Sequence, residues 1–210
     1  MVYTYVINEN QQKNYNFLFD NSNHADNVFI QFDVHQNATL VAEILIAHTN
    51  VNITINCILR GEGADARITG IYILEQSNTI KINTLQHHQS AHTRSLLIMK
   101  GALCDNARVN YQGTIRVEQK ARGTHASQEN KNILLSNGAH AVSIPNLEVL
   151  THDVHCFHAS AIGKFDADQL FYTASRGIDE KIAQQLLLHA FFEKLFFDTL
   201  LIEKVKLLLE

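Results

Sequence analysis

The chain has 210 residues, 46% of them hydrophobic and 18% charged, and this composition is typical of a globular protein with a sizeable core rather than of a disordered one. Its formal net charge of −4, with Lys and Arg residues scattered along the chain, gives no electrostatic reason to expect nucleic acid as a partner. The sequence shows no signal-peptide pattern and no apolar stretch of roughly 20 residues, which argues against a membrane-spanning segment. Its three cysteines are widely spaced and form no CxxC pair, which favours a cytoplasmic location.

From about Val28 to Ile162 the sequence alternates apolar and polar residues in many short segments. VFIQFDVH, which starts at Val28, and VNITINC, which starts at Val51, are the clearest examples. Period-2 alternation with β-branched residues predicts half-buried strands. The connectors are rich in Gly, Asn and Asp, and the only proline of the chain is Pro145. Short strands joined by such turns suit a β-helix, but a sandwich or a cupin-like barrel would show similar signals, so the pattern alone leaves the topology open.

The character of the sequence changes after Gly163. Asp166 followed by Gln169 is a helix N-cap with a capping-box partner three residues on. The helix that it starts is predicted to cover roughly residues 167–175, and Gly177 is the natural residue to end it. We therefore expect a β-rich region over residues 1–163 and a helical region over residues 164–210.

A second helix is predicted to begin near Asp179. Its expected apolar stripe has helical spacing and consists of Ile182, Leu186, Leu187, Ala190, Phe191 and Leu195. Further apolar residues follow, so the tail carries more aromatic surface than one small contact requires. Such a tail can pack on its own domain or on a partner, and the sequence leaves both possibilities open.

Histidine is abundant, with twelve residues, and three of them lie together as His87, His88 and His92. His88 and His92 would chelate zinc from one face of a helix, but on an extended segment they would lie roughly 13 Å apart. Because QHHQSAHTRS has the character of strand and loop, we expect a hydrogen-bonded corner or an exposed loop rather than a metal site.

A second group lies in THDVHCFHAS, residues 151–160. In a strand, Cys156 and His158 share one face, with Cα atoms about 7 Å apart, while His155 and Phe157 point to the other side. A thiolate and an imidazole so placed can both reach one soft metal centre. The alternative interpretation is a packed thiol and a hydrogen-bonded imidazole. No P-loop, HExxH, nucleophile elbow or dinucleotide fingerprint is present.

Four segments from His88 onward form a longer pattern. They are HxxxHTRS (His88 to Ser95), KGALCDNARVNYQGTIRVE (Lys100 to Glu118), QENKNILLSNGAHAVSIPNLEV (Gln128 to Val149) and THDVHCFHASAIGKFDADQLFYTASRGID (Thr151 to Asp179). In these segments the chain resembles the SufB/SufD core family of the SUF iron–sulfur cluster assembly system, and its SufD branch in particular. The resemblance covers roughly residues 88–192, whereas the first 80 residues match only in their strand-rich character.

The resemblance implies a right-handed parallel β-helix followed by C-terminal α-helices, and a cytoplasmic scaffold subunit rather than an enzyme. It also implies pairing with a SufB-like subunit through the β-helices and docking of a SufC-like ATPase on the helical region. The implied cofactor is an iron–sulfur cluster that is transient, shared with the partner subunit, and not bound by the isolated chain.

The resemblance also assigns residues. His158 matches a SufD histidine that cooperates with a SufB cysteine, and Cys156 lies beside it as the second cluster candidate. The residues implied for contact with the SufC-like ATPase are Phe171, Tyr172, Arg176 and Phe191. The SufD branch is favoured because SufB carries a cysteine in the stretch that corresponds to LLSNGAHAV, where this chain has residues 137–139, Asn-Gly-Ala.

The chain also departs from the family pattern. It has about half the expected length and lacks the N-terminal helical region. Phe157 replaces a small polar residue, and His155 stands where the family usually has lysine. Two other functions therefore remain open: a metal-dependent enzyme on an all-β scaffold that uses His87, His88, His92 or His158, and a purely structural homodimer.

Overall fold

The computed structural model describes residues 1–22 and 25–209, which form twelve strands and three helices. The strands are β1 (Val2–Ile7), β2 (Gln12–Phe19), β3 (Asn27–Val34), β4 (Thr39–Ala47), β5 (Val51–Leu59), β6 (Asp65–Leu74), β7 (Thr79–His88), β8 (Arg94–Leu103), β9 (Arg108–Val117), β10 (Thr124–Leu134), β11 (His140–Val149) and β12 (Val154–Gly163). The helices are α1 (Ala167–Ser175), α2 (Glu180–Phe192) and α3 (Thr199–Leu209).

The strands alternate between two parallel sheets. The odd-numbered strands form one six-stranded sheet in the order β1-β3-β5-β7-β9-β11, and the even-numbered strands form the other in the order β2-β4-β6-β8-β10-β12. One odd and one even strand make one turn of the chain, so the two sheets form a β-solenoid of about six turns. The prediction of a parallel β-helix followed by C-terminal helices is confirmed.

Two strands precede the region in which the alternation was recognised. β1 and β2 lie before Val28, and they carry inward-facing aromatic residues such as Tyr5, Tyr15 and Phe17, which pack against Phe32 of β3. Tyr and Phe are strand formers at every second position here, so the same period-2 signal was already present in the first twenty residues.

The corners between strands stack on one another through backbone hydrogen bonds. The amide of Gly63 donates to the carbonyl of Ala91, the amide of His92 donates to Arg122, and the amide of Gly123 donates to Asp153. Gly63, His92 and Gly123 all have positive φ. Glycine adopts this conformation at no steric cost, but for His92 the conformation has a cost that the stacked corner must offset.

The interior of the solenoid changes in polarity along its axis. In the early turns, the inward side chains are aliphatic or aromatic, as at Ile30, Phe32 and Ile53. In the later turns buried polar side chains join them, and these are Thr84, Gln86, His88, Thr93, Ser95, Thr124, Gln128, Asn130 and Asn132. Most of them bond to one another; for example, the side-chain amide of Asn132 donates to Oδ1 of Asn130. These hydrogen bonds offset much of the cost of burying polar groups, although Oε1 of Gln86 and Oε1 of Gln128 have no partner among the described residues.

Helix α1 is bounded as the sequence predicts. The Asp166 side chain accepts a hydrogen bond from the amide of Asp168, and Gly177 follows the C-cap Arg176 with φ of +78°. Asp179 caps α2 in the same manner through the amide of Lys181. Among the described residues, no helix is long and apolar enough to cross a bilayer.

Helices α2 and α3 pack on the outer face of the even-stranded sheet. Leu188 and Phe192 of α2, with Leu201 and Val205 of α3, share an apolar cluster with sheet residues that include Ile71. The helical tail therefore packs on its own domain. α1, by contrast, has no buried residue.

The predicted apolar stripe of α2 is only partly buried: Leu195 lies in the apolar cluster and Phe191 packs against it, but the start of the stripe faces outward. Ile182 and Leu186 are each 52% exposed, and the buried residues are Ala183, Leu188 and Phe192. The three consecutive leucines 186–188 place apolar surface on several sides of the helix. Periodicity alone therefore cannot select the side that meets the sheet.

Candidate functional site

The last turn of the solenoid is open. β11 pairs only with β9, and β12 pairs only with β10, so both are end strands of their sheets. Side chains that face inward on this turn are less buried than their register partners one turn earlier. Leu147 is 43% exposed, whereas its partner Ile115 in β9 is fully buried. The open turn thus presents one free strand edge per sheet and part of the solenoid interior to the surroundings.

Cys156 and His158 lie on the inward side of β12, in register with Ala126 and Gln128 of β10. Alternation along the strand places them on one face with Cα atoms about 7 Å apart, as expected from the sequence. Cys156 is half-buried against the apolar cluster that contains Ile115. Gln128 is almost fully buried, but His158, one strand further on, is exposed.

Burial sets the protonation of the thiol. It raises the pKa of Cys156 above its ordinary value, and no nearby cation opposes this effect in the described chain. Because the thiolate rather than the thiol is the metal ligand, the residue requires a neighbouring positive charge or a metal ion to become a good donor. A second molecule that arrives at the open edge could supply that charge.

The two side chains make an incomplete ligand set. Thiolate and imidazole are both ligands for soft or borderline metals and for iron–sulfur centres, which use about four protein donors. Within residues 1–22 and 25–209, no group of three or more His, Cys, Asp or Glu side chains is placed to hold a metal ion. A cluster at Cys156 and His158 would therefore need donors from another chain.

Phe157 lies on the opposite, outward face of β12 and is 58% exposed. It is in register with Ser127 of β10 and lines a depression on the outer face of the even-stranded sheet. The phenyl ring therefore does not stand between Cys156 and His158.

Two members of the other histidine group, His87 and His88, are hydrogen-bonded to protein side chains. His88 is buried, and its Nδ1 and Nε2 are hydrogen-bonded to the hydroxyls of Thr93 (2.7 Å) and Ser95 (2.8 Å). Burial, and to a lesser extent the neighbouring His87, lowers the pKa of His88 to about 3, so the ring is neutral. His87 pairs with Glu118 at 2.8 Å. The expectation of a hydrogen-bonded corner is confirmed for His87 and His88, because the ring nitrogens of both residues bond to protein side chains.

The four residues expected to contact the ATPase lie in two different places on the helices. Phe171 and Tyr172 of α1 are 76% and 58% exposed, and the guanidinium of Arg176 lies 5.1 Å from the centre of the Tyr172 ring. Phe191 of α2 instead turns toward the sheet, where the ammonium of Lys100 lies 4.9 Å from the centre of its ring. The first three residues form one exposed surface, which we call the α1 surface, and Phe191 is not part of it.

Two charged residues that hold the helices were not recognised in the sequence. Glu43 of β4 is buried and accepts hydrogen bonds from the amides of Phe197 and Asp198, just before α3. Lys100 of β8 donates to the carbonyl of Phe191 at the end of α2. A single charge inside the apolar run LVAEILIA was the available signal for Glu43. The negative charge of Glu43 lies at the N-terminal end of α3 and the positive charge of Lys100 at the C-terminal end of α2, and the helix dipole favours both arrangements.

These features define a β-solenoid protein whose last turn presents free strand edges together with two metal-ligand side chains, and whose helical tail carries an exposed aromatic surface. A family model described as SUF system FeS cluster assembly, SufBD core domain, matches residues 3–191. The chain belongs to this family. The match also covers the first strands, so the resemblance extends well beyond the segment after His88 in which the sequence analysis recognised it.

Individual relatives agree with this assignment. The chain is 35% identical over 166 residues to an iron-sulfur cluster assembly SufBD family protein of Mycobacterium leprae (strain TN), covering 75% of this chain and 41% of that protein. It is 31% identical over 137 residues to the iron-sulfur cluster assembly protein SufD of Escherichia coli (strain K12), covering 65% of this chain and 32% of SufD. The chain thus matches less than half the length of these relatives.

Proposed function

We propose that this chain acts as a SufD-like scaffold subunit in iron–sulfur cluster assembly, without enzymatic activity of its own. In this role it pairs with a SufB-like subunit and docks a SufC-like ATPase. The observation that carries the proposal is the position of Cys156 and His158 on the open last turn, where a partner strand can reach both.

The pairing surface is the edge of the last turn. β11 and β12 each present backbone donors and acceptors that their own sheets leave unpaired. Such edges are templates for strand addition by another chain. The half-exposed apolar residues Leu147 and Ile162 lie on the same turn and lose surface when a partner covers it. A SufB-like β-helix that docks here would bury His158 and Cys156 in the new interface.

The iron–sulfur cluster is the cargo of this assembly rather than a resident group. Cys156 and His158 offer one soft and one borderline donor, and a SufB-like cysteine would complete the set. The burial that raises the pKa of Cys156 makes the thiol a poor ligand until a cation or metal approaches. Because the described residues offer no third donor beside Cys156 and His158, the site would hold cargo only in the assembled pair.

The α1 surface is the part of the helical region that we assign to the ATPase. Phe171, Tyr172 and Arg176 are exposed, and α1 buries none of its residues on the solenoid. An aromatic pair next to an arginine has the composition that is enriched in energetically important interface residues. The SufD-like rather than SufB-like assignment rests on the absence of a cysteine at residues 137–139 and on the identity with SufD of Escherichia coli.

Co-expression with a SufB-like and a SufC-like protein tests this proposal. Leu147→Lys should abolish co-purification of the SufB-like subunit and keep the ATPase, whereas Phe171→Ser should have the opposite effect. Val2→Lys, at an exposed position of β1 on the other end of the solenoid, is the matched control and should retain both partners. Failure of the unaltered chain to bind either partner would refute the assignment, and self-association through the edge that Leu147→Lys disrupts would identify a structural homodimer instead.

The cluster role needs a separate measurement. In the co-purified complex, His158→Ala and Cys156→Ser should lower the amount of cluster formed on the scaffold while leaving both partners bound. His140→Ala, a change of an exposed histidine on β11, should leave cluster formation unchanged. Unaltered cluster formation in the His158→Ala complex would show that the chain has only a structural part in the assembly.

A further inference from the structure

A pair of histidines lies on the outer face of the even-stranded sheet, on the side of β12 opposite to Cys156 and His158. His125 of β10 and His155 of β12 are register partners on neighbouring parallel strands. Their rings stack with centroids 4.9 Å apart and planes inclined by 20°. Both side chains are exposed. The strand ladder fixes the two backbones, so the pair is held together by the fold and not by the side chains alone.

The register row that contains the pair also carries one acidic and one basic residue. Asp65 and Arg94 occupy the same register row on β6 and β8, so the row runs Asp65, Arg94, His125, His155 across four strands. Together with Phe157 and Cys156 of β12, the row lines a depression of about 540 Å³. Arg94 is the register neighbour of His125, and Asp65 lies one strand beyond it, so Asp65 offsets only part of the positive charge that a cation at the histidine end meets.

The ring separation is compatible with chelation of one ion. Zinc–imidazole bonds of about 2.0–2.1 Å at a tetrahedral angle require the two nitrogens to be about 3.3 Å apart. The stacked rings must tilt toward each other to reach that separation. Exposed side chains can do so by rotation about χ1 and χ2, without any change in the strand pairing.

These two rings also differ from the histidines already described. His87 and His88 bond to protein partners through their ring nitrogens. No hydrogen bond of the described chain uses a ring nitrogen of His125 or His155. Imidazole is a good ligand for Zn²⁺ and other divalent first-row metals. Because the described residues contain no group of three donors, water would fill the remaining positions.

We propose that His125 and His155 together bind one divalent first-row metal ion, such as Zn²⁺, on the outer face of the solenoid. The site has two protein ligands, and its other coordination positions are open to water, so the ion exchanges readily with solution. Its two histidines project from the face of the sheet opposite to the side chains of Cys156 and His158, although Cys156 also lines the depression.

Calorimetric titration of the purified, metal-free chain with Zn²⁺ tests this site. We expect one ion per chain, and His125→Gln and His155→Gln should each weaken binding by more than about tenfold, since loss of a direct ligand exceeds the effect of losing an outer partner. The double variant should bind no more weakly than either single variant, because one remaining imidazole is not a chelate. Circular dichroism should show that all variants keep the strand content of the unaltered chain.

Two controls separate this site from other histidines. His140→Gln, at an exposed position on β11, should leave the affinity unchanged, and so should the double change Cys156→Ser with His158→Gln on the other face of β12. Absence of binding by the unaltered chain, or full affinity in His125→Gln, would overturn the proposal. Loss of binding in the Cys156 and His158 variant would also overturn it and would place the zinc at the cargo site.

Discussion

The carboxylate of Glu43 accepts a hydrogen bond of 2.7 Å from the backbone amide of Phe197, 154 residues further along the chain. The same side chain accepts a second bond of 3.0 Å from the amide of Asp198. One buried charge in β4 thus holds two backbone amides just before α3. At the other end of the connection, Lys100 holds the last turn of α2 through the carbonyl of Phe191. The two contacts fix the helical hairpin on the sheet.

Removal of the Glu43 carboxylate should destabilise the protein. Glu43→Ala leaves two amides near the start of α3 without their charged acceptor, and hydrogen bonds to charged groups contribute about 1.5–3 kcal/mol each. We expect a loss of about 2–3 kcal/mol in the free energy of unfolding, measured by denaturant titration. Hydrogen exchange should show faster opening of α3 than of the strands. Glu9→Ala, at an exposed turn position, should change neither quantity.

Lys100→Met should loosen the end of α2. The ammonium donates to the carbonyl of Phe191 at 2.6 Å, and burial lowers its pKa although Glu129 opposes the effect. The variant keeps the aliphatic stem but loses the donor and the favourable charge at the helix C-terminus, at a cost of about 1–2 kcal/mol. Lys131→Met removes the register neighbour, which pairs with Glu129 at the surface, and is the control. Equal stability of the two variants would refute a specific role for Lys100.

The free energy of unfolding should decrease as the pH is lowered, because of His88. Its pKa is lowered to about 3 by burial in the folded state, whereas the unfolded chain has an ordinary value near 6.5. Between these values the unfolded state binds the extra proton, so the free energy of unfolding drops as the pH falls, by at most about 1.4 kcal/mol per pH unit. Unfolding titrations from pH 7 to pH 4.5 should show a shallower slope for His88→Gln than for His140→Gln, which removes an exposed histidine. Identical slopes would contradict this assignment.

Gly101 and Gly163 provide a matched pair for core packing. A Cβ at Gly101 would lie 1.9 Å from Cε2 of the buried Tyr72, whereas a Cβ at Gly163 would meet no atom within 4 Å. Tyr72 is also held by bonds to Asn130 and Asn132 and cannot move aside freely. Gly101→Ala should therefore cost about 1–3 kcal/mol or more, and Gly163→Ala should be close to neutral. Thermal unfolding of the two variants measures the difference directly, and a neutral Gly101→Ala would show that Tyr72 can shift.

Sequence patterns predicted the structure correctly where that structure depends on residues close together in the chain. The period-2 alternation identified β3 and β5, and Asp166 and Gly177 marked the two ends of α1, because caps and strand faces depend on residues only a few positions apart. The same alternation was present in β1 and β2 but was not recognised there. The apolar stripe of α2 was predicted only in part, because leucines lie on several sides of the helix and the sheet determines which of them are buried.

The sequence by itself determined the strand-rich character, the helix ends, the family pattern from His88 onward, and the shared face of Cys156 and His158. Only the tertiary structure decided that this face lies on the open last turn, that Glu43 and Lys100 hold the helical hairpin, and that His125 meets His155. Each of these relationships joins residues that are distant in sequence. They follow from the stacking of one solenoid turn on the next, which sets the register between strands some thirty residues apart and which no short-range pattern encodes.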